Sequence, residues 1–269
     1  MKTLTIIGGT GFFGKSILDY ANKKGLKKWD ISKIILISRK KKFTKSKKSK
    51  KIKNIIVQNI FTNIIKMRKL PNSDFVIYAA KSKDLKHDID CFDHFLNLIK
   101  NSSKTTKTLF TSSGAVYGEL FSKLKINENR VININKIKNL NNYKKKYAII
   151  KIKSEKKFKN LGKKGFKVSI ARCFTFIGKH ILNQKNFAIS NFVNDALYKQ
   201  KIYVNADKET YRSYMYSDDL VEWLMKILLV SDKNCPAYNV GSDESVSIKD
   251  VASTIGKIFK KSIKYNQIK

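Results

Sequence analysis

Thr3-Leu4-Thr5-Ile6-Ile7-Gly8-Gly9-Thr10-Gly11-Phe12-Phe13-Gly14 is the stretch that decides the fold. A short apolar run stops at Gly8, Gly11 and Gly14, spaced G-x-x-G-x-x-G, and a helical pattern (Ser16-Ile17-Leu18-Asp19-Tyr20-Ala21) starts at once. The sequence predicts a strand, a tight turn and a helix N-terminus. Backbone N–H groups are unpaired at such a terminus, and the helix dipole favours negative charge there. Glycine lets the chain turn sharply and approach a pyrophosphate closely, because no Cβ intervenes. A flexible glycine turn is the plainer alternative. The place of these glycines between a strand and a helix favours a dinucleotide site.

Working outward, the remainder of the 269 residues suits one large α/β domain or a domain with a small second lobe. With two prolines and 42% hydrophobic residues, the composition is that of an ordered globular chain. No apolar run approaches the roughly 20 residues of a membrane span, and no signal peptide precedes the first strand, so the expected compartment is the cytoplasm. Cys91, Cys173 and Cys235 are odd in number and far apart, which fits reduced thiols and neither a disulfide framework nor a metal site. The net charge of +37 raises nucleic acid as a partner. Against it, 52 of the 57 basic residues are lysines spread along the chain; only Arg39, Arg68, Arg130, Arg172 and Arg212 carry the fork that reads phosphate and guanine. The densest basic run, 39–53, contains one aromatic residue, Phe43, and so no stacking ladder. The sequence predicts no specific nucleic-acid binding and no membrane insertion. Its charge favours anionic ligands.

Apolar runs predict strands at Leu4–Ile7, Lys33–Ser38, Asn54–Val57, Asp74–Tyr78, Thr108–Thr111 and Lys167–Ala171. Helical patterns cover Phe13–Lys24, Phe61–Lys69, Asp84–Lys100 and Tyr143–Asn160. Strands alternating with helices imply right-handed βαβ units and a doubly wound, mainly parallel sheet with helices on both faces, of the Rossmann type. The lysine run after Ser38 reads as a solvated loop, and 120–142 shows no firm period. Residues 1–172 are expected to form the dinucleotide-binding domain. Residues 173–269 are expected to form a smaller substrate lobe, with helices at Phe187–Tyr198, Asp218–Val230 and Ser247–Phe259 and a strand at Ala237–Val240, closing over the crevice at the strand ends.

Five blocks in order resemble the extended short-chain dehydrogenase/reductases, the NAD-dependent epimerase/dehydratases that act mostly on nucleotide sugars. They are Gly8–Gly14, Tyr78-Ala79-Ala80, Ser112-Ser113-Gly114-Ala115-Val116-Tyr117-Gly118, Tyr147-Ala148-Ile149-Ile150-Lys151 and Tyr211–Asp219; Tyr238-Asn239-Val240-Gly241 also fits. The Tyr-x-x-x-Lys spacing is weak by itself. With 12 tyrosines and 52 lysines, chance supplies about two matches, and three occur, at Tyr20/Lys24, Tyr147/Lys151 and Tyr265/Lys269. Tyr147 stands out by its place after the serine block and on the helix before the strand at 168–171. Residues four apart share a helix face, so Tyr147 and Lys151 point the same way. A nearby ammonium is expected to lower the phenol's pKa and fit it to take a proton from a hydroxyl.

The resemblance implies that Lys151 also holds the nicotinamide ribose and that Ser113 hydrogen-bonds the reacting oxygen. It places Ala79, Ala80 and Lys81 along the pyrophosphate and ribose, Asn59 and Ile60 at the adenine, and Cys173 and Phe174 near the nicotinamide. Ser38 stands about where an acid would bind the ribose of NAD. A serine leaves room for a 2′-phosphate that Arg39 can pair with, which favours NADP over NAD, unless Arg39 merely begins the solvated run. For the substrate the resemblance points to Arg212 at a nucleotide-sugar diphosphate, the alternative being an ion pair with Asp218 or Asp219. It adds Asn191, within a loop at 186–192, and Thr175, where many members carry an Asn.

Segment 172–219 looks closest to members of bacterial surface-polysaccharide biosynthesis. The family often dimerises through two helices, here Asp84–Lys100 and Tyr143–Asn160, and the substrate lobe is expected to be shorter than in many relatives. The family's 4,6-dehydratases carry Asp-Glu directly after the Ser/Thr. Here Gly114-Ala115 follow Ser113 and cannot transfer protons, so epimerisation or ketosugar reduction is expected instead of dehydration. The alternatives are reduction of a non-sugar carbonyl and a non-catalytic NADP-binding role.

Overall fold

The computed structural model describes residues 1–39, 49–82, 84–118, 125–132, 134–138, 141–181, 187–205 and 209–265. Its elements run β1 (Lys2–Ile7), α1 (Phe12–Lys24), β2 (Ile31–Ser38), β3 (Ser49–Ile52), β4 (Ile55–Phe61), β5 (Phe75–Tyr78), α2 (Leu85–Lys100), β6 (Lys107–Ser113), α3 (Ile134–Lys138), α4 (Asn142–Lys163) and β7 (Val168–Cys173). They continue with β8 (Thr175–Ile177), α5 (Ala188–Tyr198), β9 (Lys201–Val204), β10 (Tyr211–Arg212), β11 (Tyr214–Tyr216), α6 (Ser217–Leu229), β12 (Ala237–Val240), β13 (Val246–Ser247), α7 (Ile248–Phe259) and β14 (Ser262–Tyr265).

Eight strands form one sheet in the order β12-β7-β6-β5-β1-β2-β4-β3. All its pairings are parallel except β3 with β4. The central strands β1, β2, β5, β6 and β7 are buried on both faces, as a sheet covered on both sides requires. Leu4 and Ile6 of β1, with Ile34 and Leu36 of β2, enter one cluster, packed with residues of α1 and α6. Ile7, Ile35 and Ile37 enter the other, packed with α2 and α4. The chain builds outward from β1 through β2 to β4, then returns to place β5 on the other side of β1. The strand order therefore reverses beside β1, and ligands of such sheets bind at the carboxyl ends of the strands there.

Three expectations need correction. No regular helix forms at Phe61–Lys69: β4 runs on to Phe61 and only a single 3₁₀ turn, Ile64–Lys66, follows. Pairing with β2 through Ser38↔Phe61 outweighs the local helical pattern there. The lysine run is not all loop, since β3 closes an antiparallel edge on β4; residues 40–48 lie outside the described ones. Within 120–142, α3 forms a short helix. The segment beyond 173 also divides in two. β12 returns to the large sheet beside β7, and α6 packs on that sheet's core, whereas α5, β9, α7 and β14 share a separate cluster around Phe192, Ile202, Val251 and Ile255. Among the described residues no helix is long and apolar enough to cross a membrane.

Candidate active site

The glycine turn is built for close approach. Gly8 sits at φ +89°, and a Cβ there would stand 2.7 Å from Ala79 O and Ala80 N. The turn is thus pressed against the segment leaving β5. A Cβ on Gly9 would lie 2.7 Å from Leu36 Cβ, and one on Gly14 would stand 2.6 Å from Gly9 Cα. Gly11 caps α1, donating its N–H to Gly8 O at 2.9 Å; it offers no side-chain cap, and the first turn carries no acid. Phe12 and Phe13 turn their rings toward Phe176, at centroid separations of 5.9 and 6.0 Å. What they offer a ligand is therefore backbone. A turn packed too tightly for a Cβ at Gly8, Gly9 or Gly14, leading into a helix N-terminus whose first turn carries no acid, fits a pyrophosphate.

Along β2 and β4, Leu36 pairs with Asn59 and Ile37 with Ile60. Asn59 is buried, and its Nδ2 has no hydrogen-bond partner. A buried donor left unpaired costs about 1–3 kcal/mol, which an adenine acceptor would recover. Ser38 is buried at the end of β2, and Arg39 follows it on the surface.

Ser113, Tyr147 and Lys151, the residues expected to handle the proton, converge where β6 meets α4. Asn141 caps α4, accepting from Lys144 N–H at 3.0 Å, and so sets the phase that turns Tyr147 and Lys151 inward. Ser113, last residue of β6, accepts from Ala115 N–H at 3.2 Å. Lys151 is buried; its Nζ donates to Thr111 O at 3.0 Å and lies 4.7 Å from the Phe110 ring centre and 5.8 Å from that of Tyr147. Lys81 Nζ lies closer to the phenol ring, at 4.7 Å.

Burial pushes the Tyr147 phenol above its ordinary pKa, outweighing the downward pull of Lys81 and of a hydrogen bond with Ser113. This reverses the expected direction, because desolvation is a tertiary effect that i,i+4 spacing does not reveal. Burial likewise pulls Lys151 down, against Asp88, Cys173 and Glu155. Cys173 is no nucleophile: burial pushes its thiol up to about 12.

Phe174 follows β7, its N–H bonded to Val240 O at 2.9 Å. Its ring would meet a Cβ at Gly114 at 2.8 Å and stacks on Tyr117 at 6.3 Å. Thr175 sits opposite Tyr214 in the β8–β11 pair. Arg212, on β10, donates Nη1 to Tyr211 O at 2.8 Å. Asp218 pairs with Lys23 at 3.3 Å, and among the described residues no carboxylate pairs with Arg212. The ion-pair alternative for Arg212 is thereby removed. Asn191 is exposed on α5; Asn186, at the start of the expected substrate loop, lies outside the described residues.

Sequence reasoning passed over two groups. Arg172 and Glu155 form a buried pair at 2.9 Å, each 4% exposed; Glu155 also accepts from Ser112 Oγ at 2.6 Å, and Arg172 from its other side reaches Tyr117 Oη at 2.7 Å. This network fastens α4 to β6 and β7. The scarcity of arginine that singled out Arg212 singled out Arg172 equally. Asp88, buried in the first turn of α2, accepts from Ser82 N–H at 2.7 Å. Burial raises its pKa against that hydrogen bond and the charges of Lys151, Lys81 and His87.

The family model described as NAD dependent epimerase/dehydratase family matches residues 4–241. A dTDP-D-glucose 4,6-dehydratase of Dictyostelium discoideum is 27% identical over 95% of this chain, which spans 62% of that protein's length. Among solved structures, a UDP-N-acetylglucosamine 4-epimerase from Methanobrevibacter ruminantium superposes with a TM-score of 0.76 at 19% identity, covering 100% of this chain and 86% of the other. The dTDP-glucose 4,6-dehydratase DesIV from Streptomyces venezuelae, solved with NAD bound, gives 0.77 at 16% identity, covering 98% and 84%. The glycine cradle and the match over most of the length agree: the chain belongs to the NAD-dependent epimerase/dehydratase family.

Proposed function

We propose that this chain binds a nicotinamide dinucleotide and a nucleotide sugar, and epimerises the sugar or reduces a ketosugar. The observation that carries this reading is the convergence of Ser113, Tyr147 and Lys151 at the strand ends, on the same sheet edge as the glycine cradle. The coenzyme, when bound, accepts a hydride from a sugar carbon or delivers one to it. Tyr147 Oη takes the proton of the sugar hydroxyl or returns it, Ser113 hydrogen-bonds the same oxygen, and Lys151 supports the phenolate and the ribose. Asn59 holds the adenine. Ser38 and Arg39 favour NADP, because they offer a hydroxyl and a cation where NAD binding calls for an acid. Cys173 and Phe174 line the nicotinamide side, while Arg212, Thr175 and Asn191 receive the substrate. A homodimer through α2 and α4, which lie side by side with Lys157 bonded to Asp93 at 2.6 Å, belongs to the same reading.

A thermal-shift panel tests it. Ligand at about 100 times its Kd stabilises by about 2.7 kcal/mol, a rise of roughly 5–10 °C for a domain of this size. NADP is expected to give a larger shift than NAD, and one nucleotide sugar a further shift. Arg212→Ala should abolish the sugar's shift and leave the coenzyme's intact. A panel in which neither coenzyme shifts the melting temperature defeats the proposal.

Dehydration is argued against by Gly114-Ala115 and by the Phe174 ring, which occupies the space a side chain at 114 would need. Incubation with dTDP-glucose and NAD is therefore expected to yield no 4-keto-6-deoxy sugar. Its accumulation refutes this part.

A further inference from the structure

The proton-transfer site holds two cations, and the spacing of Tyr147 and Lys151 accounts for only one. Lys81 enters from the segment after β5, and its Nζ is 4.7 Å from the centre of the Tyr147 ring, against 5.8 Å for Lys151. Lys151 divides its contacts, also donating to Thr111 O at 3.0 Å and covering the Phe110 ring. Lys81 is exposed but does not sit on a free loop: its neighbour Ser82 is tied by its N–H to the buried Asp88 carboxylate at 2.7 Å, and Ala79 and Ala80 are clamped against the glycine turn. The backbone on both sides of position 81 is thus held by groups fixed in the core.

We propose that Lys81 is a working part of the proton-transfer site, stabilising the phenolate of Tyr147 across the face of its ring. The proposal rests on the reading of Tyr147 as acid/base. An ammonium over an aromatic face is attracted to the ring's negative quadrupole, and more strongly once the ring carries a full negative charge. The groups facing the phenol are Lys81 after β5, Asp88 on α2, Ser113 on β6, Cys173 on β7 and Lys151 on α4. Lys81 is the leading charge lowering the phenol's pKa, while Cys173 and Asp88 raise it. Lys81 is also the one cation of the pair that a substitution can remove from the surface without opening a cavity. As the sugar hydroxyl gives its proton to Tyr147, the negative charge beside Lys81 is neutralised, so the same contact favours the phenolate before transfer and loosens after it.

The experiment is a pH titration of the protein labelled with [ζ-¹³C]tyrosine, followed by NMR without substrate, the Tyr147 signal being assigned by its loss in Tyr147→Phe. Lys81→Met is expected to move the Tyr147 midpoint up by about half to one pH unit, and Lys81→Arg to restore most of it. An unmoved midpoint in Lys81→Met overturns the proposal, as does an equal rise in Lys81→Arg. No turnover is measured, so the result is separate from the fate of the acid/base reading, which Tyr147→Phe decides by loss or retention of activity.

Discussion

Tyr147→Phe is expected to lower turnover by about three orders of magnitude, within the range that a positioned acid/base supplies, while coenzyme binding stays near the parent level. The substitution removes one oxygen from a half-buried ring on α4. It leaves the helix cap at Asn141 and the buried Arg172–Glu155 pair intact, so the fold has no reason to yield. What is lost is the proton relay beside Ser113. Asp88 has its Oδ1 bonded to Ser82, and the Cys173 thiol stays protonated. Single-turnover measurement of hydride transfer, with coenzyme binding followed by fluorescence, separates chemistry from affinity. Wild-type rates in Tyr147→Phe place the chemistry elsewhere.

The second large effect belongs to Gly14→Ala. The new methyl would run into the carbonyl of Gly9 and stand 2.6 Å from its Cα, both backbone atoms that no rotamer change can clear. Either α1 withdraws from the turn or the turn opens. Overpacking of this kind costs about 1–3 kcal/mol, and in a domain of this size each kcal/mol lowers the melting temperature by roughly 2–4 °C. The effect on coenzyme binding should be larger, because the amides of the turn and of the first turn of α1 must stay in register to hold a pyrophosphate. A loss of more than about a hundredfold in affinity, near 2.7 kcal/mol, is expected by titration calorimetry. Parent-like affinity in Gly14→Ala would show that the cradle is not where the coenzyme binds.

Much of the architecture was legible because it is local. Leu4, Ile6, Ile34 and Leu36 declare buried parallel strands by composition alone, and Gly8 to Gly14 declare the turn. Ala237–Val240 could be read as a strand, yet its partner could not: joining β7 requires α6 to cross the sheet first, a tertiary choice with no local signature. The same holds at Phe61–Lys69, where pairing of β4 with β2 overrode a helical pattern. In the site, the order of the blocks and the family resemblance pointed to Ser113, Tyr147 and Lys151, but nothing in the sequence pointed to the upward direction of the phenol's pKa, since burial is decided by distant segments. Arg212 and Arg172 show the limit plainly. Both are rare arginines in a lysine-rich chain, and only the structure separates the one bonded to Glu155 from the one without a carboxylate partner among the described residues.

The buried Arg172–Glu155 pair has a mechanical consequence. Severing such a pair by removing one partner costs about 3–5 kcal/mol, so α4 is bolted to the sheet and cannot slide or rotate at modest expense. Tyr147 and Lys151 ride on an anvil. The α5–α7 layer has its own apolar nucleus and shares none of those bolts, so it can shift while α4 stays fixed. On the proposed function, chemistry then stays stationary while recognition adapts, and a change of specificity would need no redesign beneath Tyr147.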